Sequence, residues 1–273
     1  MNQSIKKSQR IVVKIGTSSL IYANGSVNLA SIDQLAFSLS ALQKEGKEVI
    51  LVTSGAIGVG LDKLNLKKRP TSIPEQQAIA ALGQATLMNI YSQRFSSYNQ
   101  ETAQVLLTRD IIDYPVSREN VTNTIEQLIK MDIIPIINEN DTVSVEEMDH
   151  QTKFGDNDKL SAIVAGLADA DLLIMLSDID GFYSANPLEN PDAKLYRQVQ
   201  EINDDLMERA GAAGSRFGTG GMASKLKAAK LILENNQSMI LANGSDPRII
   251  LDIVAGEEIG TLFSKVNEGI DND

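Results

Sequence analysis

The chain has no cysteine and a single histidine, His150, in 273 residues. The first absence excludes disulfides, thiolate nucleophiles and cysteine-based zinc sites, and the second excludes a multi-histidine metal centre. His150 lies in the polar stretch Met148-Asp149-His150-Gln151, where an exposed, uncatalytic side chain is the plainer reading. Long hydrophobic runs are missing too. The N-terminal Ile11-Val12-Val13 is broken by Lys14, too early for a signal peptide, and no segment approaches membrane-spanning length. A cytoplasmic protein without a membrane partner is expected. Extended basic runs are absent, and 25 Lys plus Arg against 36 Asp plus Glu give a net charge of −11. So acidic a chain is a poor nucleic-acid binder, and any anionic substrate has to be held by locally placed cations against the global field. The short Lys67-Lys68-Arg69 run reads as a solvated loop. The P-loop spacing G-x-x-x-x-G-K-[ST] occurs nowhere, which excludes a Walker-type NTPase.

What is present is an ordinary globular composition, 42% hydrophobic and 22% charged. Short β-branched runs alternate with helical patterns, the mark of a parallel α/β sheet. Strands are predicted at Ile11–Ile15, Val49–Val52, Thr102–Leu107, Ile133–Ile137, Leu172–Leu176 and Met239–Ala242. Helices are predicted from Ser31 (with Gln34 completing a capping box) to Gly46, from Pro74 to about Tyr98, and at about Arg118–Met131. Others fall at Leu160–Ala168, after the glycine-rich segment to about Asn235, and shortly before Gly256. A Pro/Asn-rich loop occupies Ala185–Asp192. No internal repeat or interdomain linker is visible. A midpoint near residue 170 leaves room for two lobes, but one three-layer αβα sandwich around a mostly parallel sheet is the simplest architecture.

In such sheets ligands sit outside the carboxyl ends of the strands, and the polar clusters fall there. Arg216–Lys225 carries three glycines straight into a helix with Lys225 in its first turn, a cradle for polyphosphate. Lys14 stands inside an apolar strand. Two readings stay open for it: an edge-strand lysine reaching water, or an ammonium aimed at a partner at the strand end. Thr53-Ser54-Gly55 through Gly60 ends a strand in small residues that open a helix, another anion-binding turn or simply a tight connection. Asn138-Glu139-Asn140-Asp141 follows a strand, and Phe154-Gly155-Asp156-Asn157-Asp158 opens a helix. An Asp there is commonly only a cap, yet the cluster holds more amides and carboxylates than a cap needs. Ser177-Asp178 ends a further strand and suits a ribose or triphosphate contact or a plain surface turn.

Two lysines, N–H-rich turns and scattered carboxylates suit phosphoryl transfer, whose catalysis is mostly positioning and charge stabilisation. An anionic acceptor such as a carboxylate needs no general base, and Lys14, Lys225 and Mg²⁺ would suppress its repulsion from the phosphate.

Six segments, Val-Lys-Ile-Gly-Thr-Ser at 13–18, Val-Thr-Ser-Gly-Ala at 52–56, Ile-Asn-Glu-Asn-Asp at 137–141, Phe-Gly-Asp-Asn-Asp at 154–158, Leu-Ser-Asp-Ile-Asp-Gly at 176–181 and Gly-Thr-Gly-Gly-Met-Ala-Ser-Lys at 218–225, occur in an order that resembles the amino acid kinase family. The resemblance spans roughly residues 10–263 and is to members that phosphorylate the γ-carboxylate of free glutamate with ATP. It implies the amino acid kinase fold, Mg²⁺ carried by ATP and not by protein side chains, a place at the start of proline biosynthesis, feedback inhibition by proline, and a dimer or tetramer. It implies that Lys14 and Lys225 contact the transferring phosphoryl group and that Asp158 orients them. It assigns Ser54, Gly55, Asp141 and Asn157 to glutamate, and Lys14, Ser177, Asp178, Thr219, Gly220, Gly221, Met222, Ala223, Ser224 and Lys225 to ATP. Asp141 would partner the substrate ammonium. Many members carry a C-terminal PUA module. Here the kinase pattern runs to about Phe263, and the residual tail 264–273 is too short for a domain, so the form without that module is expected.

Other family acceptors (acetylglutamate, aspartate, carbamate or UMP) remain alternatives. A dinucleotide-dependent oxidoreductase is a weaker one. Gly218–Ala223 satisfies the loose G-x-G-x-x-[GA] pattern but follows the helical-looking Leu206–Gly214 and not a first strand. A catalytically silent nucleotide sensor is disfavoured by the presence of both lysines and Asp158.

Overall fold

The computed structural model describes residues 3–108, 110–143, 157–187, 189–204, 206–207 and 221–265. Its centre is an eight-stranded sheet. The strands are β1 (Arg10–Ile15), β2 (Glu48–Val52), β3 (Thr102–Leu107), β4 (Ile134–Glu139), β5 (Leu172–Ser177), β6 (Gln198–Val199), β7 (Ser238–Asn243) and β8 (Thr261–Phe263). Their order is β3-β4-β2-β1-β5-β7-β8-β6, with β7–β8 the one antiparallel pair among them. β1 pairs with β2 on one side and β5 on the other, so the sheet runs continuously through the chain midpoint.

The helices are α1 (Gln3–Lys7), α2 (Thr17–Leu20), α3 (Leu29–Lys44), α4 (Ala56–Lys63), α5 (Ile73–Ser96), α6 (Asp110–Asp113), α7 (Pro115–Lys130), α8 (Asn157–Leu167), α9 (Met222–Glu234) and α10 (Ile249–Val254). They cover both faces. Alternate residues of a strand point to opposite sides, and β1 shows it: Val12 joins the core under α7, α8 and α9, while Ile11, Val13 and Ile15 join the core under α1, α3, α5 and α10. Strands buried on both faces explain their near-continuous apolar sequences. The three-layer αβα sandwich with a mostly parallel sheet agrees with the sequence pattern.

Local boundaries differ in instructive ways. α3 begins at Leu29, because Asn28 caps it by accepting from the Ser31 N–H at 3.1 Å; Ser31 is not the cap. α7 starts at Pro115, whose missing N–H costs nothing at a first helical position. β4 extends through Asn138 and Glu139, polar residues that end a strand only when no neighbour pairs with them. Here Leu106 and Leu107 of β3 do. β6 and β8, of two and three residues, carry too little pattern to be seen in sequence.

α4 and α5 cross at backbone contact. A Cβ added at Gly83 would lie 1.8 Å from the Ala56 carbonyl oxygen, and one at Gly60 would lie 2.3 Å from that of Ile79. Gly83→Ala therefore forces the helices apart. We expect it to lower the unfolding free energy by about 1–3 kcal/mol in urea denaturation, and an unchanged midpoint and slope would show that the contact yields freely.

Candidate active site

The parallel strands end in register, and this brings the polar clusters together. Lys14 is level with Val52 of β2 and Met175 of β5, and Val52 is level with Ile137 of β4. Thr53, Asn138 and Ser177 thus project from one carboxyl edge of the sheet, as the topology demands of a ligand site.

Lys14 shares the face of Val12, toward α8 and α9. There its Nζ lies 2.5 Å from Asp158 Oδ1, and Lys225 Nζ donates to Asp158 Oδ2 at 3.2 Å. Asp158 is fully buried, and the two lysines are 7% and 6% exposed. Lys14 is therefore a partnered ammonium on a central strand, and the edge-lysine alternative is incorrect. Burial alone would raise the Asp158 carboxyl, but the charges and hydrogen bonds of Lys14 and Lys225 outweigh it and hold the group below the ordinary carboxylate range. Its place in the first turn of α8 favours the anion further. Two cations against one anion leave this buried triad at +1, a charge that can attract an anionic group.

Asn157 and Asp158 are consecutive in α8, so their side chains diverge by about 100°. While Asp158 faces the lysines, Asn157 reaches over the strand ends. Its Nδ2 lies 2.6 Å from the Thr53 carbonyl, 2.7 Å from Ser54 Oγ and 3.0 Å from Asn138 Oδ1. Gly55, at φ +89°, makes the sharp turn from Ser54 into α4, a left-handed conformation that favours glycine. Below it, the buried hydroxyls of Thr53 and Tyr91 share a 2.7 Å hydrogen bond, and burial pushes the Tyr91 phenol up, so it stays neutral. Asp141 stands in the turn directly after β4.

On the other side of Lys14, Ser177 is the last residue of β5, and its hydroxyl donates to Asp178 Oδ1 at 3.1 Å. Gly221 is the N-cap of α9 and, as a glycine, brings no side chain of its own to cap it. The first-turn N–H groups of Met222 and Ala223, with Lys225 one turn behind them, make a helix start that suits an anion, while the Ser224 N–H returns to the Gly221 carbonyl at 3.0 Å. The expected ATP contacts Thr219 and Gly220 lie outside the described residues, as do His150 and Phe154–Asp156.

The structure adds residues that the sequence does not single out. Gln84 of α5 accepts from Asn138 Nδ2 at 2.8 Å, and Asn243 at the end of β7 donates to Asp180 at 2.8 Å. Asn138 stands out in sequence only as part of a polar cluster, and nothing in its sequence context marks Gln84. No helix among the described residues is long and apolar enough to cross a membrane.

A triad at +1, with the α9 helix start and the Asn157–Asn138 amide cluster on opposite sides of Lys14, can seat two anionic groups against each other. The amino acid kinase family profile matches residues 9–243. A glutamate 5-kinase from Enterococcus faecalis is 67% identical over 265 residues, 97% of this chain and 98% of its own length. One from Listeria monocytogenes is 59% identical over 273 residues, 100% of this chain and 99% of its own. In fold, the UMP kinase from Ureaplasma parvum superposes with a TM-score of 0.64 at 18% identity, covering 95% of this chain and 100% of that one. The matched stretch contains Lys14, Ser54, Asp158 and Lys225 together with the strands that hold them, and on these grounds the chain belongs to the amino acid kinase family.

Proposed function

We propose that this chain transfers the γ-phosphoryl group of ATP to the γ-carboxylate of L-glutamate, giving glutamyl 5-phosphate and ADP. The observation that carries the reading is Asp158 held between Lys14 and Lys225. One carboxylate oxygen of glutamate attacks the γ-phosphorus, the bond to the β–γ bridging oxygen breaks, and ADP leaves with that electron pair. The acceptor is already an anion, so no proton has to be removed and no histidine or cysteine is needed. The barrier is charge repulsion. Lys14, between the two subsites, and Lys225, behind the α9 N-terminus, stabilise the spreading negative charge on the phosphoryl oxygens. Asp158 takes one hydrogen-bonding direction from each ammonium and so fixes their spacing.

In this reading Ser54, Gly55, Asn157 and Asp141 hold glutamate, with Asp141 facing its ammonium. Ser177, Asp178 and the segment Thr219–Lys225 hold ATP. The donors at the cradle are ammonium and N–H groups, which suit phosphate oxygens and not a cation, so Mg²⁺ would be carried by the polyphosphate, where it would supply charge neutralisation. A single kinase unit, residues 1–263, carries the reaction, with 264–273 as a tail. Inhibition by proline and a homo-oligomeric state, which the family resemblance implies, and cytoplasmic residence, which the sequence composition suggests, belong to the same proposal.

Mg²⁺-ATP turnover across glutamate, acetylglutamate, aspartate, carbamate and UMP, with proline titrated in, tests substrate and regulation together. ADP release that requires glutamate and falls with proline is the expected outcome. Turnover with another acceptor and none with glutamate would sink the assignment.

A further inference from the structure

We propose that Gln84 is a positioning residue of the acceptor site, acting through Asn138 to fix which end of the Asn157 amide faces the substrate. The proposal rests on the reading of Ser54 and Asn157 as the glutamate site. Gln84 follows Gly83 on α5 and is 7% exposed. Its Oε1 accepts from Asn138 Nδ2, while its own Nε2 is buried and meets no acceptor among the described residues. An unpaired buried amide nitrogen lowers stability, and a methionine or leucine would fill similar space without that cost. Packing therefore gives no reason for a glutamine here. The interaction it does make is the reason.

The polarity of the amide chain is determined. The Glu139 N–H donates to Asn138 Oδ1 at 2.9 Å, which turns Asn138 Nδ2 toward Gln84, where only an oxygen can receive it. The same Asn138 Oδ1 accepts from Asn157 Nδ2, and that nitrogen also faces the Thr53 carbonyl, a group that can only accept. Asn157 Oδ1 is thereby turned away from the sheet edge as an acceptor, suited to an ammonium and not to a carboxylate. Without the Gln84 oxygen, Asn138 Nδ2 is buried with no other acceptor among the described residues. Its amide then gains by turning or withdrawing, and either movement releases Asn157.

Gln84→Met keeps the length and removes the oxygen. The expected result is a rise of about tenfold in KM for glutamate, with KM for ATP and kcat within about twofold and a cooperative melt. In an Asn157→Ala background the same change should add less than about twofold, because both act through one amide. Gln84→Asn, which withdraws the amide by one methylene, should show the same selective rise and serves where the methionine variant does not fold. A folded variant with unchanged glutamate KM, equal shifts in both KM values, or effects of Gln84→Met and Asn157→Ala that multiply in full would overturn the proposal. A wild-type enzyme inactive on glutamate would instead overturn the acceptor-site reading itself.

Discussion

Lys225→Met should lower glutamate-dependent turnover by at least about a thousandfold, the scale seen when a cation is removed from a phosphoryl-transfer site. The loss should fall on kcat. In the proposed reaction Lys225 would be needed most where negative charge spreads over the phosphoryl oxygens, and an interaction made in the transition state raises kcat more than it tightens substrate binding. The fold should survive. The methionine keeps the buried stem, and Asp158 retains Lys14 as its partner. Replacing one of two cations takes the triad from +1 to neutral, which relieves repulsion instead of stranding a charge. A melting temperature within about 5 °C of the wild type is expected. Turnover that survived the change unaltered would remove Lys225 from the reaction and the α9 cradle from the phosphoryl path.

Asp158→Asn should behave in the opposite way, harming stability as well as rate. Asp158 is fully buried between two ammonium groups that are themselves buried. Within the triad the amide leaves two cations and no anion, and only its oxygen can accept. Removing one partner from a buried ionic cluster typically costs about 3–5 kcal/mol. We expect a loss of that size, a fall in kcat of at least about a hundredfold, and a KM for ATP that does not rise, because the seat for polyphosphate has become more positive. The pH dependence follows from the carboxyl being held below its ordinary value by Lys14 and Lys225. A depressed native value means that the unfolded chain binds the proton first. The stabilisation is thus complete above the unfolded value of about 3.9 and is lost as pH falls through the native one. The difference in unfolding free energy between wild type and variant should be flat from neutrality to about pH 4 and narrow below it. A gap unchanged down to about pH 2 would mean that Asp158 is not held ionised by the lysines.

Much of this site is legible in the amino-acid sequence itself. Lys14 is conspicuous because an ammonium in an apolar strand needs a partner, and strand alternation already puts it on the side of Val12. Lys225 is conspicuous because glycines precede it and a helix carries it. What the sequence leaves open is their meeting point. Asp158 reads equally well as a helix cap until the sheet register brings β1 alongside α8 and α9. Asn138 is harder, because an asparagine after Ile-Ile reads as the end of a strand, and only pairing with β3 keeps it inside β4. Gln84 is silent in sequence. α5 packs against both α4 and the sheet, so polar residues on it do not mark a solvent face, and a buried glutamine looks like any other. The short strands β6 and β8 are equally silent, since two or three residues hold no period.

The central claim is that a phosphoryl group passes directly from ATP to the γ-carboxylate of glutamate over the Lys14–Asp158–Lys225 triad. Hydroxylamine trapping reads that step, since it converts the acyl phosphate to γ-glutamyl hydroxamate and frees phosphate. With wild-type protein, Mg²⁺-ATP and glutamate, hydroxamate should form at about one per ADP released, and Lys225→Met should abolish both together. ADP release without hydroxamate, or hydroxamate formed equally well by Lys225→Met, would contradict the assignment.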